Sequence, residues 1–284
     1  MRHLESIAGS VLTATGDALF PRKCPACGSF FHAPAHCRKI NDQINTMDTL
    51  ALPSMESDFR FLFAPFVCRD CLDNFASLDS PLCLICGRPF AATFDTDHIC
   101  GQCLTKKRSF FAARSCGVYS KTLMALIHAY KYHGRIRLAK PLSVLLFQLF
   151  IGYDGFHDID TVIPVPLHRR RLRERGFNQA FMMVMHWPDF DKSGKFKTGF
   201  CVDGTSLVRR KKTESQTGLG RDDRIKNIRG AFLVKRPEAI ADKNILVVDD
   251  VYTTGSTVSE CASTLMKAGA AGVWVLTLAK AIGT

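Results

Sequence analysis

The hydrophobic pattern is sharpest over residues 245–248 (ILVV), an unbroken aliphatic run. Such a run predicts a short strand buried on both faces of a parallel sheet. Two acids, Asp249 and Asp250, stand where that strand should end. The polar turn Val251, Tyr252, Thr253, Thr254, Gly255, Ser256 and Thr257 follows, and then a helical pattern reaches Met266. Upstream, residues 117–119 read as a short strand, and Leu123, Leu126, Ile127 and Tyr130 recur at helical spacing. That helix should close at His133 with Gly134 as its left-handed terminator, placing Lys131 and two histidines near its negative end. The histidines read as capping or surface groups. A second helix covers 138–150. Residues 161–166 (TVIPVP) form another buried strand, whose prolines point to a sheet edge or an unusual turn and allow a cis peptide. Near the start, Leu4, Ile7, Ala8, Val11, Leu12, Ala18 and Leu19 predict an amphipathic helix packed on its own protein. Residues 32–66 are mixed and proline-containing, so they read as a loop or insertion.

Composition changes this picture little. The 284 residues are 46% hydrophobic and 23% charged, ordinary for a globular protein large enough for one ample core or a core plus a small module. No run of ~20 apolar residues predicts a membrane span. The N-terminal helix carries acids and polar breaks unlike a signal peptide, so a cytoplasmic location is expected. The formal charge of +12 favours an anionic partner, nucleic acid or polyphosphate, without choosing between them.

The cysteines change it more. Eight of twelve form C-x-x-C pairs: Cys24/Cys27, Cys68/Cys71, Cys83/Cys86 and Cys100/Cys103. Two-residue spacing lets both sulfurs of a knuckle meet one tetrahedral zinc ion, and one or two structural Zn²⁺ ions are expected. Disulfides or idle thiols are the alternative. The ribbon-like spacing of Cys83, Cys86, Cys100 and Cys103 favours one shared ion, leaving Cys24 and Cys27 with Cys68 and Cys71. A crossed arrangement also fits. Cys37 reads as bland, with a stray metal ligand as the alternative, and Cys116, Cys201 and Cys261 read as small core residues rather than nucleophiles. Lys106, Lys107, Arg108, Phe110 and Phe111 form a basic–aromatic cluster that suits nucleic acid or a solvated linker equally.

At the strand end, Gly255 permits a positive φ, and successive amides ahead of a helix make a concavity for an anion. Adjacent carboxylates suit a sugar diol or a magnesium ion. A ribose phosphate carries both parts. The bland alternative is a capped turn with solvated acids.

DDVYTTGST behind four aliphatics resembles the phosphoribosyl pyrophosphate (PRPP) signature of type I phosphoribosyltransferases. Taken with four C-x-x-C pairs, KYHG, PVPLHRRRLRERGFNQA, TESQTGL, N-x-x-GAF and VVDDVYTTGSTV, the chain over about residues 20–281 resembles the ComF family, bacterial proteins linked to competence. The interval between the first two cysteine pairs, within 28–67, is expanded. The resemblance implies an α/β fold, a type I phosphoribosyltransferase-like parallel sheet flanked by helices, with a small N-terminal zinc-binding module. The expected division is 1–112 for the helix and zinc module and 113–284 for the phosphoribosyltransferase-like domain. It also implies binding of PRPP and Mg²⁺, with Asp249 and Asp250 as candidate catalytic residues on the ribose hydroxyls. Residues Val251, Tyr252, Thr253, Thr254, Gly255, Ser256 and Thr257 would complete the PRPP site.

In phosphoribosyltransferases a loop at the position of 167–179 grips pyrophosphate, so Leu167, His168, Arg169 and Arg175 are candidates there. A nucleic-acid patch, a localisation signal and a solvated basic helix start are the alternatives. Residues 207–232 carry eight basic and three acidic residues with little periodicity. They match a loop that closes over the reacting ribose, or a clamp on single-stranded DNA. Two functions follow: a PRPP-binding protein that either transfers phosphoribosyl groups or senses PRPP, or a non-catalytic single-stranded DNA-binding factor acting with DNA-uptake machinery. No residue signals the acceptor nucleophile.

Overall fold

A computed structural model describes residues 21–34, 54–90, 96–190, 199–211 and 227–282. The expected N-terminal helix, Cys37 and the centre of the basic 207–232 stretch lie outside the described residues. Strands β1 (Arg22–Lys23) and β2 (Phe30–Phe31) pair antiparallel around the first knuckle. Helices α1 (Met55–Phe63), α2 (Arg69–Leu72) and α3 (Gly101–Thr105) follow, then β3 (Ala113–Val118), α4 (Lys121–Tyr132) and α5 (Ala139–Gly152). The second half contains β4 (Thr161–Pro164), α6 (Arg169–Arg175), α7 (Gln179–Val184), α8 (Trp187–Phe190), β5 (Cys201–Val202), β6 (Leu207–Arg209) and β7 (Phe232–Val234). It ends with β8 (Asn244–Tyr252), α9 (Ser256–Lys267) and β9 (Gly272–Lys280).

The five-stranded sheet has the order β3-β9-β8-β4-β5, every pairing parallel. Side chains of a strand alternate between faces, and the aliphatic runs of β8 and β9 therefore feed two cores. Leu246, Val248, Leu276 and Leu278 meet α5, Trp187 and the α1 residues Phe59, Leu62 and Phe63. Ile245, Val247, Val273 and Val275 meet α9 and the second group of cysteines. Truncating Leu246 to Ala would remove a fully buried side chain, at a cost of roughly 2–5 kcal/mol.

Several expectations need correction. The strand at 245–248 runs on through both acids to Tyr252, because β9 keeps pairing beside it at Asp249↔Thr277, Val251↔Ala279 and Tyr252↔Lys280. The interval 32–66 is not all loop: α1 is capped by Ser54, whose hydroxyl accepts from the Ser57 amide, and its apolar face enters the core. β4 is no edge strand. It lies between β8 and β5, and β5 pairs only with Thr161 and Val162. The outer side of Pro164 therefore meets no ladder, which is how a proline is tolerated there. Among the described residues the cis peptide is Ser80–Pro81, not one in 161–166. Cys116 and Cys261 are buried as expected, but Cys201 is exposed, because it sits on the short edge strand. No helix among the described residues is long and apolar enough to cross a membrane.

Candidate functional site

The carboxyl ends of β8 and β4, where ligands bind in open parallel sheets, border a cavity of about 370 Å³. Asp249, Asp250, Val251, Tyr252, Thr253, Gly255, Ser256 and Thr257 all line it. Thr254 does not; its hydroxyl donates to Ser256 Oγ (3.0 Å) and so shapes the turn from behind. Gly255 has φ 74°, and a Cβ there would lie 2.3 Å from Tyr252 Oη, so both conformation and space demand glycine. Among the described residues, the amides of Thr253, Thr254 and Gly255 donate to no backbone carbonyl. These amides stand ahead of the 12-residue helix α9. Unpaired amides at a helix start are a ready anion site.

The two acids differ. Asp250 is buried and accepts from Lys131 Nζ (2.5 Å) and Gln179 Nε2 (3.2 Å). Gln179 is held in turn by Arg175, whose Nη1 donates to its Oε1 at 2.5 Å. Asp249 accepts from the Asp250 amide at 2.9 Å. Burial, and then the neighbouring Asp250 charge, push its carboxyl up to about 7 against the pull of Lys131 and Arg209. Burial pulls Lys131 down, but the charge and hydrogen bond of Asp250 outweigh it and raise the lysine above its ordinary value. One carboxylate is thus neutralised internally, and among the described residues the other has no salt bridge at contact distance. A magnesium ion fits such a place: Asp249 offers hard oxygen ligands, with water and ligand oxygens completing the shell, as this ion prefers.

The arginine segment splits between two cavities. Leu167, Arg171 and Arg175 line the one just described. His168 and Arg169, with Leu167 again, line a neighbouring cavity of about 1110 Å³ between α6, β5 and the β6–β7 ribbon. His168 also caps α6, its Nδ1 accepting from the Arg170 amide (3.3 Å). Apolar walls from Leu172, Phe181 and Leu233 face Arg169, Arg210 and Lys235 in this larger cavity. Among the described residues its one lining carboxylate, Asp203, is taken by Arg236, Thr205 and Ser206.

Sequence reasoning missed Lys131, Gln179, Arg171 and Arg209. Lys131 read as a favourable charge at a helix end. No local pattern marks it, since its partner Asp250 is more than a hundred positions away in the chain. His128, taken as a surface group, lines the cavity and hydrogen-bonds Tyr119 Oη at 2.9 Å. The basic–aromatic cluster at 106–111 divides as well. Phe110 is buried edge-on against Tyr252, whereas Phe111 is 59% exposed beside Trp274.

The cysteines assemble as two tetrads, Cys24/Cys27/Cys68/Cys71 and Cys83/Cys86/Cys100/Cys103, with each set of sulfurs within 4.8 Å of one another. The crossed arrangement is excluded. Zinc–sulfur bonds of about 2.3 Å put tetrahedral sulfurs roughly 3.8 Å apart. Cys27 and Cys68 sulfurs stand 3.6 Å apart, and those of Cys86 and Cys100 3.8 Å. Both tetrads could hold a zinc ion, and neither spacing is that of a disulfide.

No family model matches the chain. It is 32% identical to the DNA utilization protein YhgH of Salmonella typhimurium over 71% of this chain and 85% of that one. It is 30% identical to competence protein F of Haemophilus influenzae, over 76% of this chain and 90% of that one. Competence protein ComFC of Bacillus subtilis is 24% identical over 72% and 80%. Among solved structures, the glutamine PRPP amidotransferase of B. subtilis, complexed with ADP and GMP, covers 53% of this chain. The match spans 30% of that enzyme at 17% identity and a TM-score of 0.33. The parallel sheet, the acid pair ahead of a glycine turn, the paired cysteine tetrads and the identity to competence protein F and YhgH meet in one conclusion: the chain belongs to the ComF family.

Proposed function

We propose that the chain binds PRPP, or another ribose phosphate, with Mg²⁺ in the cavity at the end of β8. The observation that carries this is the convergence of three groups on one cavity: the acids, the amide turn before α9, and cations from two other elements. The turn takes the 5′-phosphate on its amides and hydroxyls. Asp249 and Asp250 accept from the ribose hydroxyls, with Lys131 and Gln179 fixing the second carboxylate in place. Arg171 and Arg175 face the pyrophosphate. Bound Mg²⁺ supplies positive charge to a leaving pyrophosphate. The same cations favour charge that develops there, so transfer of the phosphoribosyl group to a nucleophile is the reaction this site suits. The site operates in the cytosol, where PRPP is present. Calorimetric titration with PRPP tests the binding. Heat that saturates only with Mg²⁺ present supports it; no heat with either buffer sinks it.

A second reading rests on the larger cavity and the names of the relatives. Arg169, Arg210 and Lys235 have no acidic partner among the described residues, and they rim apolar walls that can face bases. This suits a single strand of DNA handled during competence. Three phosphate contacts on single strands give a slope of about −2 in log affinity against log salt. Arg210→Glu with Lys235→Glu should flatten that slope; unchanged slope and affinity would refute this surface.

A further inference from the structure

The second tetrad lies directly beneath the phosphate turn, and two side chains span the gap. Lys280 is the last residue of β9 and the register partner of Tyr252 at the end of β8. It is 4% exposed. Its Nζ donates to the carbonyl of Cys86 at 2.8 Å and stands 3.6 Å from the centroid of the Tyr252 ring. The Tyr252 hydroxyl is buried and has no hydrogen-bond partner among the described residues. Tyrosine is therefore not held there by its polar end, which leaves the ring as its contribution. The ring is gripped by Lys280 through a cation–π contact and by the edge of Phe110. Its other end sits where a Gly255 side chain would be, so the position of the ring defines the floor of the turn.

The knuckle that supplies the Cys86 carbonyl is itself docked on the sheet. Ala113 donates its amide to Ile85 O at 2.7 Å, and Arg114 Nη1 donates to Leu84 O at 3.1 Å. A Cβ on Gly87 would lie 2.5 Å from the Ala113 carbonyl, so the knuckle has no room to reseat. A divalent ion on four thiolates leaves a net charge of about −2. Among the described residues, Lys280 and Arg108 are cations close enough to feel its charge. The knuckle keeps its shape only while four sulfurs share an ion, since such sites fold with their metal.

We propose that Lys280 and Tyr252 are positioning residues for the phosphate turn, and that through them the metal on Cys83, Cys86, Cys100 and Cys103 sets the order of residues 253–256. The metal fixes the Cys86 carbonyl, the carbonyl fixes the ammonium, the ammonium fixes the ring, and the ring fixes the turn. The first tetrad's corresponding carbonyl, Cys71 O, accepts from the Thr122 hydroxyl (2.8 Å) at the start of α4, which leads toward the acids and not to residues 253–256. The consequence for ligand affinity rests on the ribose-phosphate reading; the consequence for order in the turn does not.

The test uses the full-length, zinc-loaded protein with two readouts: hydrogen exchange, without ligand, at the amides that hold the two ends of the turn, Ser259 on Gly255 O (2.9 Å) and Ala281 on Tyr252 O (2.8 Å), and affinity for PRPP with Mg²⁺. Lys280→Met should keep both zinc ions, speed exchange at these amides about tenfold, and weaken PRPP about tenfold, while the amides of β3 stay protected. Lys280→Arg should restore most of the protection, which a role in bulk packing would not allow. Cys86→Ser with Cys103→Ser should loosen the same turn with loss of one ion, and Cys27→Ser with Cys68→Ser should not. Should Lys280→Met fail to fold, Tyr252→Leu keeps an apolar side chain and removes the cation–π contact, with the same expected exchange. Unchanged exchange in zinc-replete Lys280→Met or Tyr252→Leu overturns the proposal. If exchange responds but wild-type protein binds no PRPP, the coupling stands and the ligand reading falls. If PRPP binds and exchange does not respond, the reverse holds.

Discussion

The two tetrads are built from the same C-x-x-C unit and differ in what surrounds them. Cys27 and Cys68, 41 positions apart, close a long interval; Cys27 is exposed and Cys68 and Cys71 are half-buried, while Cys24 is buried in the core beside α1. Cys86 and Cys100 are 14 positions apart, and all four sulfurs of their tetrad are buried against the sheet. A metal clip on a long loop acts mainly by restricting the unfolded chain. A buried clip beside a ligand turn acts on the folded state as well. On the proposal above, one motif closes a long interval against the α1 side of the core and, in its second copy, underlies the turn.

The strongest way to break this contrast is to remove each metal separately. Cys83→Ser with Cys86→Ser should lower zinc from two ions to one per chain and cost several kcal/mol, since the metal's binding energy is folding energy. Cys24→Ser with Cys27→Ser should also remove one ion but leave the sheet's melting transition nearly in place. Elemental analysis and thermal melts check both, and equal melting shifts would erase the distinction.

The next effect sits in the turn. Gly255→Ala forces a Cβ toward Tyr252 Oη at 2.3 Å and a left-handed backbone onto an L-residue. The backbone penalty alone is about 1–2 kcal/mol, and urea denaturation should show at least that loss. The same change at Gly134, also at positive φ but with nothing within 4 Å, should cost the backbone penalty alone.

A third effect concerns protons. The Asp249 carboxyl is held up at about 7 in the fold, by burial first and Asp250 second. Unfolded, it would titrate near 3.9. Between those values the folded chain binds the extra proton, so this group's contribution to stability is full below about 4 and is lost as pH rises toward 7. In Mg²⁺-free buffer, Asp249→Asn should flatten that part of the stability profile; an unchanged profile would mean the acid is not strained.

The hydrophobic run of β8 announced itself because a strand buried on both faces needs no alternation, and the acid pair and glycine followed in order. The tetrad pairing was likewise legible from spacing. What escaped notice depended on contacts distant in sequence. Lys131 meets Asp250 only after α4 packs across the sheet, and Gln179 does so only once Asn178 has capped α7. Helix α1 has helical spacing at Met55, Phe59, Leu62 and Phe63, but a proline-containing, mixed stretch hid it. The split of the arginine segment could not be read at all, since a helix with arginine at nearly every position has no face marked by sequence.

The central claim is that a sugar phosphate sits at the end of β8 with its hydroxyls on the acids. Calorimetry of PRPP with Mg²⁺ on zinc-matched wild type and Asp249→Ala/Asp250→Ala tests it most directly. The account predicts saturable binding by the wild type and at least a hundredfold loss in the double variant, with both zinc ions retained. Undiminished affinity in that variant would contradict it.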